Sequence, residues 1–227
     1  MSDFSRSGTI ADRIAQIRQT LPANVRLIAV SKQVSIAAMQ EAYDAGIRDF
    51  GESRVQEAEA KQAQLREWSD VTWHLIGHLQ ANKANKAIRM FEWIHSVDHL
   101  KLAQRLDQLA AQLDQSPQVC LQVKLLPDPN KFGWTIAELL ADLPALSECQ
   151  HLNICGLMTI PPLGLSQSEV IGVFQQTREL AATISRQQLP GLDIQELSMG
   201  MSEDYALAVQ SGATMIRLGR ILFGDRT

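Results

Sequence analysis

A chain of 227 residues with 45% hydrophobic and 20% charged residues is long enough to bury a sizeable core, which rules out disorder as its main state. With 13 Gly, 8 Pro and no glycine period or serine- or glutamine-rich tract, collagen-like and low-complexity readings also fall away. Its 21 Lys and Arg stand against 25 Asp and Glu, a net charge of −4 with the basic residues scattered, which argues against a nucleic-acid binder held by phosphate contacts.

Cys120, Cys149 and Cys155 form no CxxC pair and are odd in number, as expected of reduced thiols. The opening MSDFSRSGTIADRIAQIRQT lacks the apolar run of a signal peptide, and no stretch reaches the roughly 18 apolar residues of a membrane span. A cytoplasmic protein without nucleic-acid or membrane partners is expected. No linker divides the chain, so a single domain over residues 1–227 is expected as well.

An amphipathic helix bearing Ile10, Ile14, Ile17 and Leu21 comes first, followed by the apolar run VRLIAVSK from Val25. The strand-like runs RDFGES from Arg48, VTWHLIGH from Val71 and WIHSVD from Trp93 come next. Leu102, Leu106, Leu109, Ala110 and Leu113 then share one helix face before VCLQVKLLP from Val119 and ICGLMTIPP from Ile154. A second such face joins Val170, Val173, Phe174, Thr177, Leu180, Ala181 and Ile184. IQELSMGM from Ile194 and TMIRLGR from Thr214 complete eight strands, with almost nothing after them. Eight strands alternating with helices fit an open doubly wound sheet or a closed barrel. The strand count and the length favour an α/β fold of the (β/α)8 TIM-barrel type, with the N-terminal helix in place of the missing final one.

In a barrel the chemistry sits at the C-terminal strand ends. Those ends read Ser31-Lys32, Gly51-Glu52-Ser53, Gly77-His78, Ser96-Val97-Asp98, Lys124, Thr159, Ser198-Met199-Gly200 and Arg217-Leu218-Gly219-Arg220. Lys32 shares strand parity with Ile28 and Val30, so all three point into the barrel or all three face the helices. An inward lysine, desolvated to a neutral amine, could attack an aldehyde; a rim lysine would only snorkel to water. The loops after strands seven and eight could build an anion site, with the Ser198 hydroxyl as donor, Gly200 and Gly219 allowing close backbone approach, and Ser202 as N-cap. Glu203 and Asp204 in the first turn would serve the helix dipole without any ligand. Arg217 is either a fixed cation beside such a ligand or half of a structural salt bridge.

His74 and His78, like His95 and His99, are four apart, but on a strand that interval spans about 13 Å, so a metal site is disfavoured. A buried or rim histidine with one hydrogen bond is the expected alternative. No GxSxG, Walker A or GxGxxG motif occurs, and the aromatic residues are too sparse for a base-stacking platform.

Taken together and in order, AVSK (29–32), FGESRVQEAEAK (50–61), WHLIGHLQANK (73–83), SVD (96–98), KFGW (131–134), GLMTIPP (156–162), LSMGMSEDYALAV (197–209) and IRLGRILFG (216–224) carry a specific resemblance. The chain resembles the pyridoxal phosphate homeostasis protein family, whose barrel is that of the alanine racemase N-terminal domain, PLP fold type III. The resemblance implies that pyridoxal 5′-phosphate (PLP) is bound as a Schiff base by Lys32. It also implies that Ser198, the Met199 backbone, Gly219 and Arg220 hold the phosphate, that Arg217 meets the pyridine nitrogen, and that His74, Met158 and Ser53 lie near the cofactor. The chain departs from the family at Gly51-Glu52-Ser53-Arg54, where GENY is usual, and at Arg220, where threonine or serine is common.

Arginine at the pyridine nitrogen weakens the ring as an electron sink. Fold type III racemases add a second acid/base group from a C-terminal β-domain and a dimer partner, and a chain ending at Thr227 is expected to lack both. The expectation is a monomer, not an efficient enzyme, that stores or delivers PLP and other B6 vitamers for vitamin B6 and amino-acid homeostasis. The alternatives are a weak racemase or lyase, and a regulatory module that reports PLP to a partner.

Overall fold

A computed structural model describes residues 8–224; residues 1–7 and 225–227 of the expected 1–227 domain lie outside the described residues. Eight parallel strands close in sequence order into a barrel. They are β1 (Arg26–Val30), β2 (Asp49–Glu52), β3 (Thr72–Leu75), β4 (Trp93–Val97), β5 (Gln118–Val123), β6 (Asn153–Thr159), β7 (Leu192–Ser198) and β8 (Met215–Leu218). Pairing of β1 with β8, Arg26 to Met215 through Ala29 to Leu218, completes the closure and decides against the open sheet.

The helices between the strands are α2 (Ile36–Asp44), α3 (Val55–Gln64), α4 (Ala84–Met90), α5 (Leu100–Leu113), α6 (Ile136–Leu146), α7 (Gln167–Ser185) and α8 (Tyr205–Gln210). Their starts are written locally. Thr135 with Glu138 and Ser166 with Glu169 form capping boxes on α6 and α7, and Ser35 caps α2. The helix α1 (Ile10–Thr20) is capped by Thr9 and Asp12 and buries Ile10, Ile14 and Ile17; Leu21 is its C-cap. It packs against α2 and against α9 (Arg220–Phe223), the short helix that follows β8, and the Arg13 side chain donates to the Leu222 carbonyl at 2.7 Å. The N-terminal helix thus covers the seam that a full eighth helix would otherwise cover.

The apolar core lies mainly between strands and helices, with a separate cluster of Ile28, Trp93, Cys120, Cys155, Met158 and Met215. Cys155 and Met158 have opposite strand parity; the register of β6 against both β5 and β7 shifts beside Cys155, which brings both into that cluster.

Candidate functional site

A cavity of about 580 Å³ opens at the C-terminal ends of the strands. Val30 and Lys32 line it, and Ile28 of the same parity packs in the inner cluster, so this face of β1 turns inward. Ser53, Arg217, Gly219 and Arg220 share the cavity with Lys32, while the loop from Ile160 to Leu165 forms an apolar wall. Lys131 ties that wall down by donating to the carbonyls of Ile160, at 3.0 Å, and Pro161.

Two side chains from α3 hold the backbone on either side of Lys32. Lys61 Nζ donates to the Ser31 carbonyl at 2.6 Å and also meets Glu52 Oε1 at 2.8 Å and Glu57 Oε1 at 2.7 Å. The Gln33 amide donates to Glu57, and Gln33 adopts φ of 60°, an unusual angle for a residue with a Cβ. Burial pushes the Glu52 carboxyl above its ordinary range, against the pull of Lys61 and Ser31. Burial raises Glu57 too, but hydrogen bonds from Lys61 and the Gln33 amide outweigh it and leave that carboxyl below its ordinary range.

Arg217 is buried inside the barrel, and burial lowers its pKa to about 10. Among the described residues its guanidinium makes no salt bridge: Nη1 donates to Ser198 Oγ at 2.7 Å and Nη2 to the Thr159 carbonyl at 3.0 Å. Behind it runs a connected line of polar groups. Ser198 Oγ lies 2.8 Å from His95 Nδ1, His95 Nε2 lies 2.9 Å from His74 Nδ1, and His74 Nε2 lies 2.9 Å from Asp49 Oδ1. Burial holds both histidines below their ordinary pKa, His95 strongly so.

The sequence-derived site residues therefore fall into two groups. Lys32, Ser53, Arg217, Gly219 and Arg220 line the cavity; Ser198, His74, Met158 and Met199 are fully buried and do not. The Ser198 hydroxyl is engaged by His95 and Arg217. The Met199 N–H is engaged as well, donating to the Met215 carbonyl at 3.1 Å. Gly200 has φ of 98°, and a Cβ there would come within 2.7 Å of Ala208 Cβ, so the glycine serves the tight packing of α8.

Several expectations need correction. Ser202 does not cap α8, which begins at Tyr205 with Asp204 at the N-cap position; its hydroxyl instead accepts from the Gly219 and Ile221 amides, each at 3.4 Å. Glu203 and Asp204 precede the helix. Glu203 pairs with Arg220, and Asp204 Oδ1 accepts from the Met201 amide at 2.6 Å. His74 and His95 each make two hydrogen bonds, where one was expected, because they meet across neighbouring strands. His78 and His99 both contact Asp98, at 2.8 and 2.6 Å, away from the cavity.

Asp49, His95 as a link, and the pair Glu57 and Lys61 were missed from sequence. Inward parity shared by His74 and His95 was the available signal for the first two. Glu57 and Lys61, four apart on a helix, were the signal for the pair.

The barrel, closed and with a lysine and an arginine facing one mouth cavity, is of the alanine racemase N-terminal type: the family model of that domain, alanine racemase N-terminal domain, matches residues 6–227. A pyridoxal phosphate homeostasis protein of Synechocystis is 54% identical over 212 residues, 93% of this chain and 96% of its own. The chain belongs to the pyridoxal phosphate homeostasis protein family. PipY of Synechococcus elongatus, in a structure with PLP bound, superposes with a TM-score of 0.91 at 56% identity, over 95% of this chain and all of its own. An alanine racemase of Clostridium difficile shares the fold, with a TM-score of 0.75 at 14% identity over 96% of this chain and 56% of its own.

Proposed function

We propose that this protein holds PLP covalently through Lys32 and serves vitamin B6 homeostasis by storing and delivering it. The observation that carries the reading is the placement of Lys32, Arg217, Gly219 and Arg220 around one cavity of about 580 Å³. These residues fit the cofactor: an amine for the aldehyde, a buried cation for the ring, and the backbone at Gly219 and Arg220 with a second cation for the phosphate. PLP when bound supplies a reactive aldehyde on an electron-withdrawing ring. The relatives' names and the PLP seen in PipY support the assignment.

In this account Glu57 and Lys61 hold the turn that presents Lys32, Arg217 orients the ring, and Gly219 with Arg220 faces the phosphate. Ser53 lines the mouth; Ser198, His74, Met158 and the Met199 backbone support it from below. Binding without efficient turnover is supported by the relatives' name as homeostasis proteins, and the cavity lining among the described residues includes no histidine, cysteine or tyrosine. Glu203 and Asp204 do line it, but Glu203 is paired with Arg220, and Asp204 accepts from the Met201 amide.

We further propose that residues 1–227 act as one cytoplasmic, monomeric domain. Support comes from buried free thiols at Cys120, Cys149 and Cys155, from the lack among the described residues of a helix long and apolar enough to cross a membrane, and from few exposed large apolar side chains. The test is titration of the purified chain with PLP, followed by visible absorption and then by an alanine racemisation assay. Saturable yellow binding at one equivalent with negligible racemisation is expected. A chain left colourless by PLP, or one that racemises alanine rapidly, contradicts the reading.

A further inference from the structure

The line from Asp49 to Arg217 crosses the barrel interior from the start of β2 to the mouth, and its protons can be placed by elimination. A guanidinium only donates and a carboxylate only accepts, so the two ends are fixed. Asp49 Oδ1 must receive a proton from His74 Nε2. If His74 is neutral, its Nδ1 is then bare and must accept from His95 Nε2–H. His95 Nδ1 is bare in turn and accepts the Ser198 hydroxyl proton, and Ser198 Oγ accepts from Arg217 Nη1.

The reverse direction requires either a cationic His74 inside the barrel or a protonated Asp49. Burial of the ring opposes the first, and against the second Asp49 Oδ1 is the ion-pair partner of the Arg26 guanidinium at 3.7 Å as well as of His74. Every bond in the line therefore points the same way, toward Asp49, and bonds aligned head to tail strengthen one another.

We infer that His74 and His95 are positioning residues, two neutral imidazoles each carrying its proton on Nε2, which relay the negative end at Asp49 to Ser198 and so fix Arg217 at the cavity. The relay makes Ser198 Oγ a stronger acceptor toward the guanidinium. It holds the Nη1 edge, while the Thr159 carbonyl holds Nη2, so that the remaining N–H groups keep one orientation. His74 faces Asp49 on β2, with Arg26 and Trp93 nearby, and His95 faces Ser198 on β7 and Arg217 on β8. No histidine of the relay touches the cavity, so its influence on a ligand passes through Arg217.

The part of this inference that concerns ligand affinity rests on the reading of the mouth as a PLP site; the proton placement does not. The experiment therefore has two arms. Nitrogen-15 NMR of the histidine rings in the full chain without PLP should show His74 and His95 both neutral and both protonated on Nε2 near neutral pH. A ring protonated on Nδ1, or a charged ring, overturns the relay whether or not PLP binds.

In the second arm, His95→Gln supplies an amide oxygen to accept from Ser198 and an amide N–H to donate to His74, whereas His95→Leu does neither. With both variants folded by circular dichroism, His95→Leu should weaken PLP binding about tenfold and His95→Gln should restore most of the loss. Equal affinities in the two variants overturn the positioning role. If neither variant nor the parent binds PLP while the NMR arm holds, the cofactor reading fails and the relay stands.

Discussion

Two buried polar clusters support the mouth from opposite sides of the barrel wall. Inside, Asp49, His74, His95, Ser198 and Arg217 join through bonds of 2.7 to 2.9 Å, with formal charge only at the ends of the line. Outside, between β2 and α3, Glu52, Glu57 and Lys61 concentrate charge at one point, and Glu52 Oε2 has no hydrogen-bond partner among the described residues. The inner cluster acts on the side chain of Arg217; the outer one acts on the backbone around Lys32. Disturbing the outer cluster should therefore cost stability, and disturbing the inner one should cost affinity.

The sharpest break of that contrast is Lys61→Met. It leaves Glu52 and Glu57 facing each other without their cation, and urea unfolding should show a loss of about 3 kcal/mol, largely recovered by adding Glu52→Gln. A loss below about 1 kcal/mol would show that the outer cluster does not hold the turn.

Arg217→Met comes next. It removes the charged donor while keeping the volume, so PLP affinity measured by titration should fall by between about 10-fold and 100-fold. Unchanged affinity would place the ring elsewhere.

Acidification separates the clusters more gently. Burial holds His74 and His95 below the ordinary histidine value of 6.5, so as pH falls through that value the unfolded chain takes up protons that the folded chain refuses. Stability is full above this range and declines below it, by at most about 1.4 kcal/mol per pH unit for each ring. Glu52, whose pKa is raised, contributes in the opposite sense, so the diagnostic is a shallower decline in His95→Gln. An identical decline in that variant would remove His95 from the account.

The smallest effect is expected at Arg220, whose partner Glu203 is exposed. Arg220→Thr, the change toward the family pattern, should alter PLP affinity by no more than about threefold. A larger loss would make the Arg220 side chain, rather than the backbone at Gly219 and Arg220, the principal phosphate contact.

The barrel was legible because its signals are local. Strand runs, capping residues and helix faces such as Leu102, Leu106 and Leu109 are each written within a few positions, and strand parity tied Lys32 to Ile28 and Val30. Parity alone left open which face turned inward; Val30 and Lys32 at the cavity and Ile28 in the inner cluster supplied the answer. The relay was harder to see because it depends on register between strands: His74 and His95 were weighed along their own strands, yet they meet across β3 and β4. Asp49 escaped notice for another reason, since it lies at the beginning of β2, where a search of strand ends does not look. Ser202 looked like an N-cap because the length of the turn before Tyr205 is not encoded in any single residue type.

The central claim is that Lys32 alone takes the aldehyde, and trapping tests it most directly. The full chain would be incubated with one equivalent of PLP, reduced with borohydride, digested and mapped by mass, with Lys32→Ala treated alongside. A pyridoxyl group confined to Lys32, and none in the variant, is the predicted result. Stoichiometric label on another lysine such as Lys131, or undiminished label in Lys32→Ala, would contradict it.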